Sequence, residues 1–286
     1  ILVSDGDCEN ASLVIRSQEE CEVLFGFISL MPGKTYNGHG LRLDLVEKLK
    51  GLSPRFMRFP GGCIVEGSTL STVMMFKNTI GPVWERPGHQ LVWHYRSYNG
   101  LGYHEYLQLC EDLDMEPLYV CNCGMTCQGR RGTLLVEEEL DEMLEDTLNA
   151  IEYALGPVDS KWGRQRAAMG HPAPFNLEFI GIGNEQWGEE YPERLEPFIK
   201  AIRKVHPEIK IVGSSGPNSE GKYFDYLWPE MKRLKADLVD EHFYRPESWF
   251  LAQGARYDNY DRKGPKVFAG EYACHGKGKK WNHFNA

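Results

Sequence analysis

Two glutamates lie where a carboxylate could do chemistry. Phe179-Ile180-Gly181-Ile182-Gly183 is an apolar run that leads into Asn184 and Glu185, and Lys266-Val267-Phe268-Ala269-Gly270 leads into Glu271. A carboxylate at the C-terminal end of a parallel strand lies on the face where α/β barrels build their sites. Two carboxylates on one rim suit glycoside hydrolysis. One protonates the leaving oxygen, and the other attacks the anomeric carbon or activates water. Each glutamate could also simply open a solvated loop, and the sequence leaves that alternative standing. Arg58, in Arg58-Phe59-Pro60-Gly61-Gly62-Cys63, could hold a carboxylate through paired donors, and the glycines would let backbone approach a ligand. His242 and Tyr244 end another strand-like run. Asn122 follows Pro117–Cys121 in the same way.

Other chemistries lack their templates. There is no G-x-S-x-G, H-E-x-x-H or phosphate-binding G-x-x-x-x-G-K-[ST]. The Gly181-Ile182-Gly183 pair lacks the third glycine of a dinucleotide site, since Gln186 stands there. Cys121, Cys123 and Cys127 are spaced C-x-C-x3-C, which is not a standard zinc pattern, so no metal and no cofactor is expected. The 286 residues carry 32 Lys and Arg against 41 Asp and Glu, a net charge of −9. With no basic block to hold phosphates, a nucleic-acid partner is not expected. No stretch of 18 apolar residues occurs, so no membrane-spanning helix is expected. Aromatics make up 12% of the chain, which fits both a carbohydrate partner and a large core.

Alternation of helix and strand begins near residue 40. Helical spacing covers Leu41–Leu52, Tyr103–Met115, Leu140–Leu155, Leu195–Val205 and Tyr223–Leu234, with Pro229 interrupting the last. Strands are expected at Arg55–Phe59, Pro117–Asn122, Leu177–Gly183, Glu208–Gly213, Asp237–Phe243 and Lys266–Glu271. Such alternation implies a parallel sheet. Residues 160–175 read as a loop. The segment Ile64–Gly100, with Trp84, Trp93, His94, Tyr95 and Tyr98, is too long for an ordinary connection and should be functional. Before this region, Ser12–Arg16 and Glu22–Ser29 read as two short strands.

Several segments together resemble glycoside hydrolase family 51, the α-L-arabinofuranosidases. They are RFMRFPGGCIVEG (55–67), NTIGPVWERPGH (78–89), GLGYHEYLQLCEDL (100–113), WGRQRAAMGHPAPFNLEFIGIGNEQWG (162–188), DEHFY (240–244) and GPKVFAGEYA (264–273). The resemblance implies a (β/α)8 TIM-type barrel, present here from barrel strand 2 to strand 7. Residues 1–31 would be the C-terminal end of a carbohydrate-binding-like β-sandwich, and 32–286 a partial catalytic barrel. It implies that Glu185 is the acid/base, Glu271 the nucleophile, and Asn184 a partner of the sugar 2-hydroxyl. Arg58 would position Glu271. His242 and Tyr244 would line the sugar subsite, with Trp93 as a wall. Cys63 occupies a sugar-contacting position where many members have Asn.

The expected activity is retaining release of terminal α-L-arabinofuranosyl groups from plant-type polysaccharides or their oligosaccharides, by a secreted protein. Members are often oligomeric. Barrel strands 1 and 8 find no counterpart in the sequence, so the chain is expected to be a fragment that is unstable and inactive alone. Two rival readings stay open: a β-glycanase of the same clan, and a non-catalytic sugar-binding chain.

Overall fold

The computed structural model describes Val3, Gly6 and residues 9–275. Contacts divide the chain into two units, residues 1–52 and 53–286.

In the first unit, residues 9–34 form no helix or strand among the described residues. The strands expected at Ser12–Arg16 and Glu22–Ser29 are therefore absent. Their β-branched and aromatic side chains suit a sheet, but their backbone takes no strand conformation, and Leu24 (90% exposed) and Phe25 (58%) stand in solvent. A ladder needs a partner strand, and local composition cannot supply one. The unit ends in helix α1 (Leu43–Gly51), as the leucine spacing indicates.

The second unit is built on six parallel strands. They are β1 (Phe56–Phe59), β4 (Glu116–Cys121), β5 (Phe179–Ile182), β6 (Lys210–Ser214), β7 (Leu238–Arg245) and β8 (Lys266–Cys274), adjacent in that order. Each expected strand is present within a few residues of its expected bounds. In a flat sheet the first and sixth strands would stand about 24 Å apart, at about 4.8 Å per step. Here Phe56 of β1 meets Phe268 of β8, with ring centroids 5.4 Å apart. The sheet therefore curls almost into a barrel, and its filling explains why. Leu118 and Val120 of β4 and Val212 of β6 pack with Val65, and Phe179, Leu238 and Phe268 close on that cluster. These inward side chains come from alternating positions on their strands, as barrel interiors require.

Helices cover the outside. α3 (Tyr103–Asp112), α4 (Glu137–Leu155), α6 (Glu190–Val205) and α7 (Lys222–Arg233) each bury an apolar stripe, such as Leu195, Phe198, Ile199 and Ile202 of α6. Pro229 does not break α7, nor Pro197 α6. A proline removes one internal hydrogen bond, and the packed face outweighs that loss.

The loop expected at 160–175 is corrected: Lys161–Ala168 is helix α5. Ser160 caps it by accepting from Gly163 N–H at 3.0 Å. The residue it buries is charged, which conceals the stripe. The Arg166 guanidinium donates to the carbonyls of Tyr153 (2.6 Å), Gly156 (2.8 Å), Pro172 (3.0 Å) and His171 (3.1 Å).

The long segment after β1 begins with a short helix, α2 (Gly62–Glu66), and ends in a hairpin of β2 (His89–Gln90) and β3 (Arg96–Ser97). Buried Arg86 fastens it to α3 by a two-pronged pair with Glu105, at 2.7 and 2.9 Å.

Candidate active site

Four strands, β1, β5, β7 and β8, deliver polar side chains to one place at the C-terminal rim of the barrel. On β7, alternation puts Asp240, His242 and Tyr244 on one face and Glu241 on the other. On β8 the register slips. Asp240 pairs with Phe268, but His242 pairs with Glu271, so β8 carries one extra residue between them. This bulge turns Glu271 toward His242. Gly270 N–H, freed from the ladder, donates to Asp240 Oδ1 at 2.8 Å. A Cβ at residue 270 would stand 2.4 Å from that oxygen, so any larger residue must displace the Asp240 carboxylate.

Glu185 arrives by a different route. Gly183 (φ +80°) turns the chain off the end of β5, and Glu185 itself sits at φ +55°. A side-chain-bearing residue in the left-handed region carries strain of about 1 kcal/mol or more, a cost that concentrates at functional sites.

The two carboxylates converge. His242 Nδ1 is 2.7 Å from Glu185 Oε1 and 3.7 Å from Glu271 Oε2. One oxygen of each carboxylate and a ring nitrogen of His242 all lie within 4.8 Å of one another. Glu271 is held at both oxygens: Arg58 Nη1 donates to Oε1 at 3.1 Å, and Tyr244 Oη donates to Oε2 at 2.8 Å. Arg58 Nη2 donates to Asn184 Oδ1 at 2.6 Å. Asn184 Nδ2 in turn donates to Glu66 Oε2 at 3.2 Å, which leaves one of its two amide hydrogens for a ligand.

Electrostatics sort these groups. Burial disfavours charge on His242, but the carboxylates of Asp240 and Glu185, with the charge of Glu271, outweigh it and raise its pKa to about 9. The imidazolium is thus the resting form at neutral pH. Burial raises the Tyr244 hydroxyl too, and its bond to Glu271 adds to this, so it remains a donor. Glu66, buried and beside Cys127, is pushed up to about 9.

The sequence-predicted residues Arg58, Asn184, Glu185, His242, Tyr244 and Glu271 therefore meet in one hydrogen-bonded cluster. Trp93 lies at the tip of the β2–β3 hairpin, 46% exposed and stacked on Tyr95 with centroids 6.4 Å apart. No described contact joins it to the carboxylates. Cys63 sits at the start of α2, with its sulfur 4.0 Å from that of Cys127. Asn122 is engaged in full. It accepts from the N–H groups of Gly124 and Met125 and donates to the carbonyls of Val65 and Met125, so it shapes a loop. All seven described cysteines are free thiols.

Two members went unforeseen. Asp240 Oδ2 lies 3.3 Å from Arg58 Nε and 3.2 Å from His242 Nε2; both are ion contacts, and neither is aligned as a hydrogen bond. Glu66 accepts from Asn184 and, at 2.8 Å, from Gln186 Nε2. The two-residue spacing of Asp240, His242 and Tyr244 was a signal for the first. Nothing in the local sequence marked the second.

Comparison with known proteins shows what the chain is similar to. The Alpha-L-arabinofuranosidase 1 domain profile matches residues 48–262. The chain is 41% identical over 267 residues to the extracellular exo-α-L-arabinofuranosidase of Streptomyces chartreusis, covering 88% of this chain and 32% of that protein. It is 37% identical over 276 residues to α-L-arabinofuranosidase 2 of Arabidopsis thaliana, covering 96% and 39%. Its fold is similar to that of the arabinose-bound MgGH51 α-L-arabinofuranosidase, at TM-score 0.75 and 33% identity, over 84% of this chain and 37% of that one. The chain thus spans about a third to two fifths of the length of these relatives.

Proposed function

The chain belongs to the α-L-arabinofuranosidases of glycoside hydrolase family 51, and we propose that it carries the catalytic carboxylates of a retaining glycosidase. The substrate is a terminal, non-reducing α-L-arabinofuranosyl group on an arabinose-containing polysaccharide or oligosaccharide of plant type. The observation that carries this reading is the approach of Glu185 and Glu271 to within 4.8 Å at their nearest ligating oxygens. Retaining enzymes place their carboxyl groups roughly 5–5.5 Å apart, whereas inverting ones need a wider gap for a water.

In this mechanism Glu271 attacks the anomeric carbon. Arg58 and Tyr244 fix both of its oxygens and aim one lone pair at the sugar. Glu185 protonates the departing glycosidic oxygen, then takes a proton from the water that releases the sugar from Glu271. His242, charged and placed between the two carboxylates, offsets their mutual repulsion. The free amide hydrogen of Asn184 is available to a sugar hydroxyl. Trp93 and Cys63 are assigned to the sugar subsite on the family resemblance. The Streptomyces relative is named extracellular, which supports secretion.

The test uses an aryl α-L-arabinofuranoside with the Glu185→Ala and Glu271→Ala variants, each with added azide. In the Glu185 variant, azide displaces the β-linked glycosyl-enzyme and gives the α-azide. In the Glu271 variant it attacks the substrate directly and gives the β-azide. Turnover that survives both substitutions refutes the assignment. Binding of arabinosides without turnover in the unaltered protein supports a sugar-binding role instead. Cleavage of internal β-linked chains alone reassigns it within the clan.

A further inference from the structure

Cys63 and Glu66 lie one helical turn apart on α2, so their side chains leave the same face. The end of that helix holds a second segment: Cys127 N–H donates to Gly67 O at 2.9 Å. The Cys127 carbonyl accepts from the N–H groups of Arg130, Arg131 and Gly132 at 2.9 to 3.1 Å, which fixes the turn. The backbone therefore delivers two sulfurs and a carboxyl group to one point, and the carboxyl, like the thiols, gives up its proton when a cation binds. The sulfurs are 4.0 Å apart, and a Glu66 oxygen lies within 4.8 Å of both. Cys127 and Glu66 are buried, and Cys63 is half-buried.

That sulfur separation is about twice the 2.05 Å of a disulfide. It is close to the roughly 3.8 Å that separates two sulfurs on one tetrahedral zinc with Zn–S bonds of about 2.3 Å. Thiolates select soft cations over magnesium or calcium. A three-ligand set leaves a fourth position for water. We propose that Cys63, Glu66 and Cys127 form a binding site for a thiophilic divalent cation of the Zn²⁺ class, separate from the Glu185–Glu271 pair.

The two sulfurs differ in acidity: the contact with Cys127 and burial hold the Cys63 thiol well above its ordinary range, so a cation must displace its proton. The Cys127 thiol is lowered by its hydrogen bond with Cys63, against burial, and further by Gly129 N–H and the charge of Arg130. The rival triple of Glu185, His242 and Glu271 is equally compact but has no sulfur, and its imidazole holds a proton where a metal would bind.

The site reaches the catalytic cleft through Glu66. Its oxygens accept from Asn184 and Gln186, and Asn184 accepts from Arg58. A cation that draws a Glu66 oxygen toward the sulfurs releases one of those amides and loosens Asn184. Occupancy therefore inhibits turnover. That last step rests on the glycosidase reading, whereas cation binding does not.

The experiment titrates the metal-free protein with Co²⁺ and records the sulfur-to-metal charge-transfer band and the intense visible bands of a tetrahedral thiolate complex. One equivalent should bind, and Zn²⁺ should bleach the bands. Cys127→Ser should weaken binding at least about tenfold and remove most of the charge-transfer intensity. Glu66→Gln, which keeps both sulfurs, should retain the band with weaker affinity, and Cys274→Ser should change nothing. Circular dichroism confirms that the variants are folded. With substrate, Zn²⁺ should lower kcat in the unaltered protein and not in Cys127→Ser, and a chelator should restore it. No sulfur band in the unaltered protein, or an undiminished band in Cys127→Ser, overturns the site. Zinc inhibition without a sulfur band places the cation at the catalytic pair and also overturns it. A sulfur band on Co²⁺ addition, in a protein whose metal-free form never turns over arabinosides, leaves the site standing and refutes the glycosidase reading.

Discussion

Arg58 and Glu271 stand 213 positions apart in the chain, yet Arg58 Nη1 lies 3.1 Å from Glu271 Oε1. They come from the first and sixth strands of the sheet, so this one ion pair depends on the curl of the whole barrel. The same guanidinium binds Asn184 at 2.6 Å and faces Asp240 at 3.3 Å. It thereby ties both catalytic strand ends to β7.

Arg58→Lys should cost far more than the conserved charge suggests. An ammonium offers no planar fork and cannot reach Glu271, Asn184 and Asp240 in the same geometry. By analogy with loss of a preorganised donor, kcat on an aryl arabinofuranoside should fall roughly 10²–10³-fold. A fall of less than tenfold would show that Glu271 is positioned by other groups.

Tyr244→Phe removes one donor to Glu271 Oε2, now at 2.8 Å. A hydrogen bond to a charged group is worth about 1.5–3 kcal/mol, so kcat should drop roughly 10- to 100-fold. The ring is 46% exposed, so the melting temperature should hardly move. Kinetics and calorimetry on the same preparation separate the two effects.

Stability should decline in mildly alkaline solution. Burial opposes the charge on His242, yet Asp240, Glu185 and Glu271 raise its pKa to about 9, above the ordinary value of about 6.5. The folded state binds this proton more tightly than the unfolded chain does. The contribution, of order 3 kcal/mol, is fully present below pH about 6.5 and is lost as pH rises through about 9. Scanning calorimetry between these limits should show the loss, and His242→Asn should flatten it. An unchanged slope in the variant would assign the dependence to another group.

Gly270→Ala tests the bulge. The added Cβ would meet Asp240 Oδ1 at 2.4 Å, and Asp240 is already engaged with Arg58, His242 and Gly270 N–H. The clash should displace Asp240 or Glu271 and lower kcat at least about tenfold, since small misplacements cost that much or more. Equal activity with alanine would mean that the bulge does not aim Glu271.

Glu241 faces away from the site and anchors β7 to the outer layer. It is fully buried and accepts from Trp228 (2.9 Å), Tyr260 (2.9 Å), Tyr257 (3.1 Å) and Arg256 (3.1 Å). Glu241→Ala takes from Arg256 its carboxylate partner and should destabilise the fold by roughly 3–5 kcal/mol. Urea unfolding reads the loss, and KM of the folded protein should stay unchanged.

The order of the six strands, their helices, and the two glutamates at strand ends were set by sequence, because apolar periodicity and strand-end position are local properties. The Arg58-Phe59-Pro60 and Asp240–Tyr244 segments were legible for the same reason. Tertiary structure alone decided what meets what. The one-residue bulge that faces Glu271 to His242 depends on pairing between β7 and β8, which neither strand encodes singly. Helix α5 was hidden because its buried anchor is Arg166, and a polar anchor leaves no apolar stripe. The expected strands at Ser12–Arg16 and Glu22–Ser29 are not formed, because a strand exists only with a partner to complete its hydrogen bonds. Glu66 joins the cluster because burial and packing bring α2 against Asn184 and Gln186, a contact across 118 and 120 positions that no local pattern records.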